Sequence, residues 1–390
     1  MFPPISLAWL QLNHKKSRLI ISIIGVAFSV ALMFTTTGLK DALFEDSVTI
    51  HKTLQADLVI LSADFQSFWT IHTNPFPRRI IYSLSAINGI VSVNPFYVAF
   101  AGFKNPDLKT KKNIGVVAFN PDKPTFNLTE VNQQISVIRN DETFLFDRLS
   151  RPEYGEIVDK FKALKKPGSV VTELLDNQIK IGGFFSIGGG VFSADGLLIT
   201  SDLNYANIFN RPIEKVHLGL ITITPGVSPE EMIDKINQKL SYQVKVITKA
   251  EFIKLEKLYW QKATPIGIIF NILSLVGFIF GAVIVYQIIF TQISDYISIY
   301  ATFKAIGYTN FYIIALVLQE SFLISIIGYI PGLLVSLGLY KYIQYNTRLP
   351  MILTIEKILT VISLTIFMCI FAALMSIFKL KDADPAELFQ

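Results

Sequence analysis

The chain has 390 residues, of which 51% are hydrophobic and only 17% charged, with a mean hydropathy of +0.47. Soluble domains carry about a quarter charged residues, so composition excludes a purely water-soluble protein. The formal charge of +5 is no nucleic-acid footprint either: residues 40–262 set 26 Lys and Arg against 24 Asp and Glu, whereas nucleic-acid binders concentrate one basic face. The single cysteine, Cys369, excludes an intrachain disulfide framework and a Cys-based metal site. The sequence reads as an α-helical membrane protein with four transmembrane helices, plus a mixed α+β extracytoplasmic domain inserted between helices 1 and 2.

Residues 1–18 open the chain. Ile5, Ala8, Trp9 and Leu12 fall at helical spacing, and an indole suits the bilayer interface. These residues read as an amphipathic helix on the cytoplasmic surface of the membrane. His14-Lys15-Lys16-Ser17-Arg18 follows, three fixed positive charges without an acid, which keeps this flank in the cytoplasm. The first span is 19–39. Its 21 uncharged residues reach about 31 Å as a helix, enough for a hydrocarbon core of roughly 30 Å. A cleavable signal peptide has a shorter apolar core, and here helical character continues through Leu39-Lys40-Asp41-Ala42-Leu43-Phe44, so the helix is retained.

Residues 40–265 form one extracytoplasmic insert, long enough for a sizeable core. Strand-like runs occur at Asp57–Leu61, Ile90–Val98, Ile114–Phe119, Val216–Thr224 and Val244–Ile247. Ser228-Pro229-Glu230-Glu231 is a helix-start signature, feeding Met232, Ile233, Ile236 and Leu240 at a 3.6 period. Leu43, Val48, Ile50 and Leu54 extend helical character past the first span, and Phe252, Ile253, Leu255, Leu258, Tyr259 and Trp260 lead toward Pro265. Two such segments would make a stalk able to carry rotation or tilt.

The second span is 266–290, followed by a cytoplasmic segment at 291–310. Within it Gln292–Ile306 predicts a short amphipathic helix, with Ile293, Tyr296, Ile297, Tyr300 and Phe303 on one side and Gly307 placed to end it. The third span, 311–340, carries one charge, Glu320. A mid-span acid costs roughly 2.5–3.5 kcal/mol on the insertion scale, so it needs a partner or a wet interior. It reads either as a proton or substrate site, or as a hydrogen bond to a neighbouring helix or a second copy of the chain. The latter is preferred, because no other ionisable residue lies in any span to build a relay. Gly328, Pro331 and Gly332 in the same span predict close helix approach or a kink. A short loop at 341–357, the fourth span at 358–378 and a cytoplasmic tail at 379–390 complete the chain, with both termini on the inner side of the plasma membrane.

Chemistry is conspicuously missing. No G-x-x-x-x-G-K-[ST] loop occurs, and the cluster Gly182-Gly183-Phe184-Phe185-Ser186-Ile187-Gly188-Gly189-Gly190 lacks the Lys and hydroxyl such a loop needs, so it reads as turn glycines joining short strands. His14, His51, His72 and His217 are scattered, which argues against a metal site. No G-x-S-x-G appears, and nothing in the sequence places Ser, His and Asp together. No catalytic, cofactor or metal residues are expected.

Several long motifs then carry a resemblance. They are Ala8-Trp9-Leu10-Gln11-Leu12, Ala56-Asp57-Leu58-Val59, Ser150-Arg151-Pro152-Glu153-Tyr154-Gly155, Asp195-Gly196-Leu197-Leu198-Ile199-Thr200-Ser201-Asp202 and Glu256-Lys257-Leu258-Tyr259-Trp260. Further on come Val283-Ile284-Val285-Tyr286-Gln287, Tyr300-Ala301-Thr302-Phe303-Lys304-Ala305-Ile306-Gly307-Tyr308, Gln319-Glu320, Gly328-Tyr329-Ile330-Pro331-Gly332 and Ala383-Asp384-Pro385-Ala386-Glu387-Leu388-Phe389. In this order they resemble the FtsX-like ABC transporter permeases over nearly the whole chain, and most of all their DevC branch. The resemblance implies a non-catalytic permease homodimer in the inner membrane, embedded in membrane lipids. A separate DevA-like ATPase uses the ATP, a DevB-like membrane-fusion adaptor binds outside, and a TolC-like outer-membrane channel continues the path. Related MacB-type systems use the external domain as a lever, and the cargo associated with the DevC branch is glycolipid. It also implies that Asp295, Tyr300, Lys304 and Gly307 couple to the ATPase. The family tends to place an acid just before Tyr-Ala-Thr, and Ile299 stands there in this chain, so Asp295 or Lys304 would serve instead. Two other readings compete: a four-span sensor, which lacks an inner output domain, and a membrane-tethered periplasmic enzyme, which lacks a nucleophile or metal cluster.

Overall fold

The structure, a computed structural model, describes residues 3–68, 70–164, 168–188, 196–240 and 243–381. Gly189, Gly190, Asp195, the motif 383–389 and most of the tail proposed at 379–390 lie outside the described residues. The chain divides into two compact units: Met1–Ala42 with Pro265–Gln390, and Leu43–Thr264.

In the first unit, a surface helix (Ile5–His14) precedes the first span helix (Lys16–Asp46). The second span helix (Ile266–Asp295), a short connector helix (Ile297–Ala305), the third span helix (Asn310–Thr347) and the fourth (Ile355–Lys381) follow after the insert. Four helices are thus long and apolar enough to cross a membrane. Glycines set their contacts. A Cβ on Gly328 would stand 2.6 Å from Val26 Cβ, and one on Gly332 would stand 2.7 Å from Val30 Cβ and 2.8 Å from the Ala27 carbonyl oxygen. The third span helix therefore lies against the first at a separation only hydrogen side chains permit, the small-xxx-small pattern of membrane helices. Gly277 against Leu32 and Gly281 against Ser29 and Met368 bring the second span helix in by the same device. Ile268, Ile272, Leu275, Ile279 and Val283 remain exposed, an apolar face suited to hydrocarbon rather than water.

In the insert, β1 (Leu58–Ser62), β2 (Phe76–Pro77), β3 (Ile90–Lys104), β4 (Lys111–Phe119), β5 (Thr143–Asp147), β6 (Val170–Leu174), β7 (Asn177–Phe185), β8 (Leu197–Ser201), β9 (Lys215–Val216), β10 (Leu218–Ile223) and β11 (Val244–Thr248) occur with short helices between them. Nine strands form one sheet in the order β11-β1-β10-β3-β4-β8-β5-β7-β6. β4–β8 and β5–β7 are parallel, and the other pairs are antiparallel. The long β3 also pairs with β6 at Phe103↔Leu174 and Lys104↔Glu173, closing six strands into a ring of pairings and covering the β6 edge of the sheet. Apolar clusters fill the space, anchored by fully buried Phe68, Phe96, Phe103, Phe119, Phe126, Phe144, Phe185 and Phe252.

Four expectations need correction. The amphipathic helix predicted over Gln292–Ile306 is shorter: the second span helix runs on to Asp295, and Tyr296 (φ −95, ψ 9) breaks it before Ile297. The loop at 341–357 shrinks to 348–354, because the third span helix continues to Thr347, where left-handed Arg348 ends it. Gly182 and Gly183 are no turn. They lie inside β7, at a register shift opposite Phe144 and Leu145, where side chains would strike Thr143 and Gln134. The run Val216–Thr224 is two strands, β9 and β10. Strands β5 to β8 were missed altogether. β5 and β8 are buried at every position and show no alternation, whereas β6 and β7 do alternate, a period-2 signal that marks them as strands.

Candidate functional site

The connector helix is built to end sharply. Gly307 adopts φ +104, its N–H donates to the Lys304 carbonyl at 3.0 Å, and the Tyr308 N–H donates to the Phe303 carbonyl at 2.9 Å. This is a Schellman termination, completed by the Phe303 and Tyr308 rings 5.6 Å apart. Tyr312 packs on both rings at 6.3 and 4.5 Å, so the turn into the third span helix is held by aromatic contacts. What remains exposed is a tip: Ile299, Thr302, Lys304, Ile306, Gly307 and Tyr308. Lys304 makes no ion pair among the described residues.

The other two candidate coupling residues are bonded within the chain. Tyr300 is 5% exposed, and its hydroxyl accepts a 2.7 Å hydrogen bond from Gln11 Nε2 on the surface helix. Burial raises the phenol above its ordinary range, and the nearby Glu320 carboxyl adds to the rise. Asp295 sits at the end of the second span helix, with Lys15 Nζ at 2.6 Å and Arg18 Nη2 at 2.5 Å. The structure therefore separates the predicted set into Lys304 and Gly307, exposed at the tip, and two residues bonded within the chain, the buried Tyr300 and the solvent-exposed Asp295. Gln11, Lys15 and Arg18 were not named as site residues. Gln11 lies in a motif already singled out, and the two cations had been assigned to topology alone.

Glu320 is 1% exposed. Its Oε2 accepts from Gln292 Nε2 at 2.9 Å, while Oε1 and the adjacent Ser321 hydroxyl are buried without a hydrogen-bond partner. Its partner is thus an uncharged amide on a neighbouring helix. Pro331 stays within the third span helix, and Gly328 and Gly332 form the close approach described above.

A second polar cluster lies in the insert. Glu256, 0% exposed, accepts from Ser67 Oγ at 2.7 Å, the Phe68 N–H at 2.8 Å and Trp260 Nε1 at 2.9 Å. His51 Nε2 is 3.7 Å from the same carboxylate, between the rings of Phe68 and Phe252 at 5.0 and 4.5 Å. Ser, His and an acid are therefore brought together here, contrary to the sequence reading. The serine donates to the acid rather than to the histidine, and all three are buried, so no substrate reaches a nucleophile. The cluster fastens the segment after the first span helix to the helix Lys249–Ala263. Glu45 bound to both Lys52 and Lys257 and Lys249 Nζ on the Lys52 and Leu54 carbonyls reinforce it. Among the described residues no three His, Cys, Asp or Glu side chains converge to hold a metal.

Comparison with known proteins places the connector in context. Residues 271–385 match the family model described as FtsX-like permease C-terminal. No curated protein sequence matches the chain. Among solved structures, the periplasmic region of MacB from Actinobacillus actinomycetemcomitans aligns at 10% identity over 53% of this chain and 94% of that one, with a TM-score of 0.37. The extracellular domain of the noncanonic ABC-type transporter YknZ from Gram-positive bacteria aligns at 11% identity over 49% and 98%, with a TM-score of 0.32. Four apolar helices, three of them in or overlapping the matched segment, define a multi-pass membrane protein. Its C-terminal part is similar to the FtsX-like permeases.

Proposed function

We propose that the chain is the permease subunit of an ABC transport system whose ATPase is a separate polypeptide. The observation that carries this reading is the exposed connector tip. It is a rigidly terminated short helix between two apolar helices, inside the FtsX-like segment, and it offers Ile299, Ile306 and Lys304 to a partner. A rigid tip transmits a push; a frayed one absorbs it. In this reading the protein lies in the inner membrane with both termini and the connector in the cytoplasm, and the first span helix and Lys249–Ala263 carry motion to an extracytoplasmic insert. The finer assignment follows the DevC resemblance: a homodimer with a DevA-like ATPase, a DevB-like adaptor and a TolC-like channel, exporting glycolipid or other envelope-directed cargo. The chain itself is non-catalytic and binds no cofactor.

The test is purification of the full chain from its own host under mild detergent. The chain alone hydrolyses no ATP, and an ATPase accompanies it. Lys304→Glu, a change at a side chain with no ion pair among the described residues, releases that ATPase without altering the melting of the permease. Gly307→Glu also releases the ATPase, by destroying the positive-φ turn, which costs a non-glycine residue about 1–2 kcal/mol. ATP turnover by the isolated chain, or full ATPase retention in both variants, removes the reading.

A further inference from the structure

Bonds to the surface helix and the chain just after it hold the connector from behind. Tyr300, the buried polar residue of the connector, is held by Gln11. Asp295, the residue before the Tyr296 break, is held by Lys15 and Arg18. Lys15 is itself the break between the surface helix and the first span helix, so the two ion pairs straddle the start of that span. The seam is tight. The cavity lined by Gln11, Leu12, Lys15, Arg18, Gln292 and Tyr296 measures about 10 Å³, too small for anything beyond a single water. The surface helix is in turn seated on the third span helix, with Ala8 and Leu12 buried and the Pro3 carbonyl accepting from Gln319 Nε2 at 2.9 Å.

We infer that the surface helix Ile5–His14, with Lys15 and Arg18, is a positioning element of the coupling apparatus: it locks the connector to the start of the first span helix. A displacement of the connector then reaches the first span helix through side-chain bonds, in addition to the backbone route along the second and third spans. The helix that receives it is continuous from Lys16 to Asp46, so it passes a tilt along its length instead of dissipating it in a loop. The inference rests on the permease reading above. It reassigns Asp295 and Tyr300 from contacts with the ATPase to contacts within the chain.

The experiment separates the two layers. Full-length chain is placed in lipid nanodiscs, and amide hydrogen exchange across 297–305 is read for wild type, Gln11→Ala, Tyr300→Phe and the double variant. Loss of one such buried bond raises exchange about tenfold, and the double variant is no faster than either single, as coupled partners require. Asp295→Asn raises exchange by a smaller factor, because its ion pairs are solvent-exposed, and Asp295→Glu restores protection. The same variants are then assayed with the ATPase that co-purifies with wild type. The expected result is an unchanged amount of bound ATPase with ATP-driven export lowered about tenfold in Tyr300→Phe and Asp295→Asn, and regained in Asp295→Glu. Additive or absent effects on exchange overturn the lock, as does wild-type export in variants whose connector exchanges faster. If no ATPase accompanies the wild-type chain, the permease reading fails, while the exchange cycle still decides whether the lock exists.

Discussion

The membrane unit and the insert solve the same packing problem with opposite residues. In the insert, large rings do the work: Phe96, Phe119 and Phe126 meet edge-on at 5.5 and 5.9 Å, and Phe103, Phe146 and Tyr154 form a second group. In the membrane unit the contacts run through Gly277, Gly281, Gly328 and Gly332, and buried hydroxyls bond carbonyls of their own helices. Examples are Ser29 on Gly25, Ser336 on Gly332 and Thr365 on Val361. The difference follows from the surroundings. Burial of aromatic area out of water drives the insert together, whereas helices in hydrocarbon gain little by hiding Leu from lipid and associate by close backbone approach.

The comparison can be broken by exchanging the devices. The largest effect belongs to the insert's buried carboxylate. Glu256→Leu removes the charged acceptor shared by the Ser67 hydroxyl, the Phe68 N–H and the Trp260 indole, and should lower insert stability by about 3–5 kcal/mol. Proteolysis of the full chain would then cut within 43–264 at a temperature where the span helices remain protected. Next comes Gly332→Val, whose Cβ meets backbone at 2.8 Å and cannot be relieved by a rotamer change. A loss of about 3 kcal/mol is expected from overpacking, and here the insert should keep its own melting while the span helices lose protection.

A pH dependence sharpens the contrast, because the histidine that carries it lies in the insert. His217 is buried, and its Nδ1 accepts the Val98 N–H at 3.0 Å. Burial first, then the charges of Arg211 and His72, push its pKa down to about 3. The unfolded imidazole titrates near 6.5, so above that pH neither state carries the proton and nothing is lost. Below it only the unfolded chain takes the proton, and insert stability falls by about 1.4 kcal/mol per pH unit until the pH reaches the folded value. His217→Gln, with an acceptor in place of the imidazole, should remove that slope between pH 6.5 and 4, measured by melting. An equal slope in the variant would place the titration elsewhere. The smallest effect is Gly338→Ala: nothing lies within 4 Å of the added carbon, so the third span helix should be unchanged or gain up to about 1 kcal/mol. A loss there would mean that this face is covered.

Much of the fold was legible because it rests on local pattern. Uncharged runs gave the four apolar helices, and alternating or β-branched runs gave β1, β3, β4 and β11. Gly307 was placed correctly at the end of the connector because a Schellman turn needs only one glycine at one position. Strands β5 and β8 escaped because full burial erases alternation. The Gly182-Gly183 pair was misread because a bulge inside a strand and a turn between strands use the same residue. At the site, Lys304 and Gly307 were visible as exposed features of one short helix. The bonds of Tyr300 and Asp295 within the chain were not, since their partners lie about 280 to 290 positions away.

Composition and periodicity by themselves determined that this chain lives in hydrocarbon at one part and in water at another, because both signals are sums over neighbouring residues. Only the tertiary structure decided that Gln11 meets Tyr300, that Arg18 meets Asp295, that Gln292 meets Glu320 and that Glu256 gathers Ser67 and His51. Each of those pairings joins polar groups from helices or loops that the linear pattern leaves independent. Burial makes an unpaired polar group costly enough that the fold has to bring the partners together.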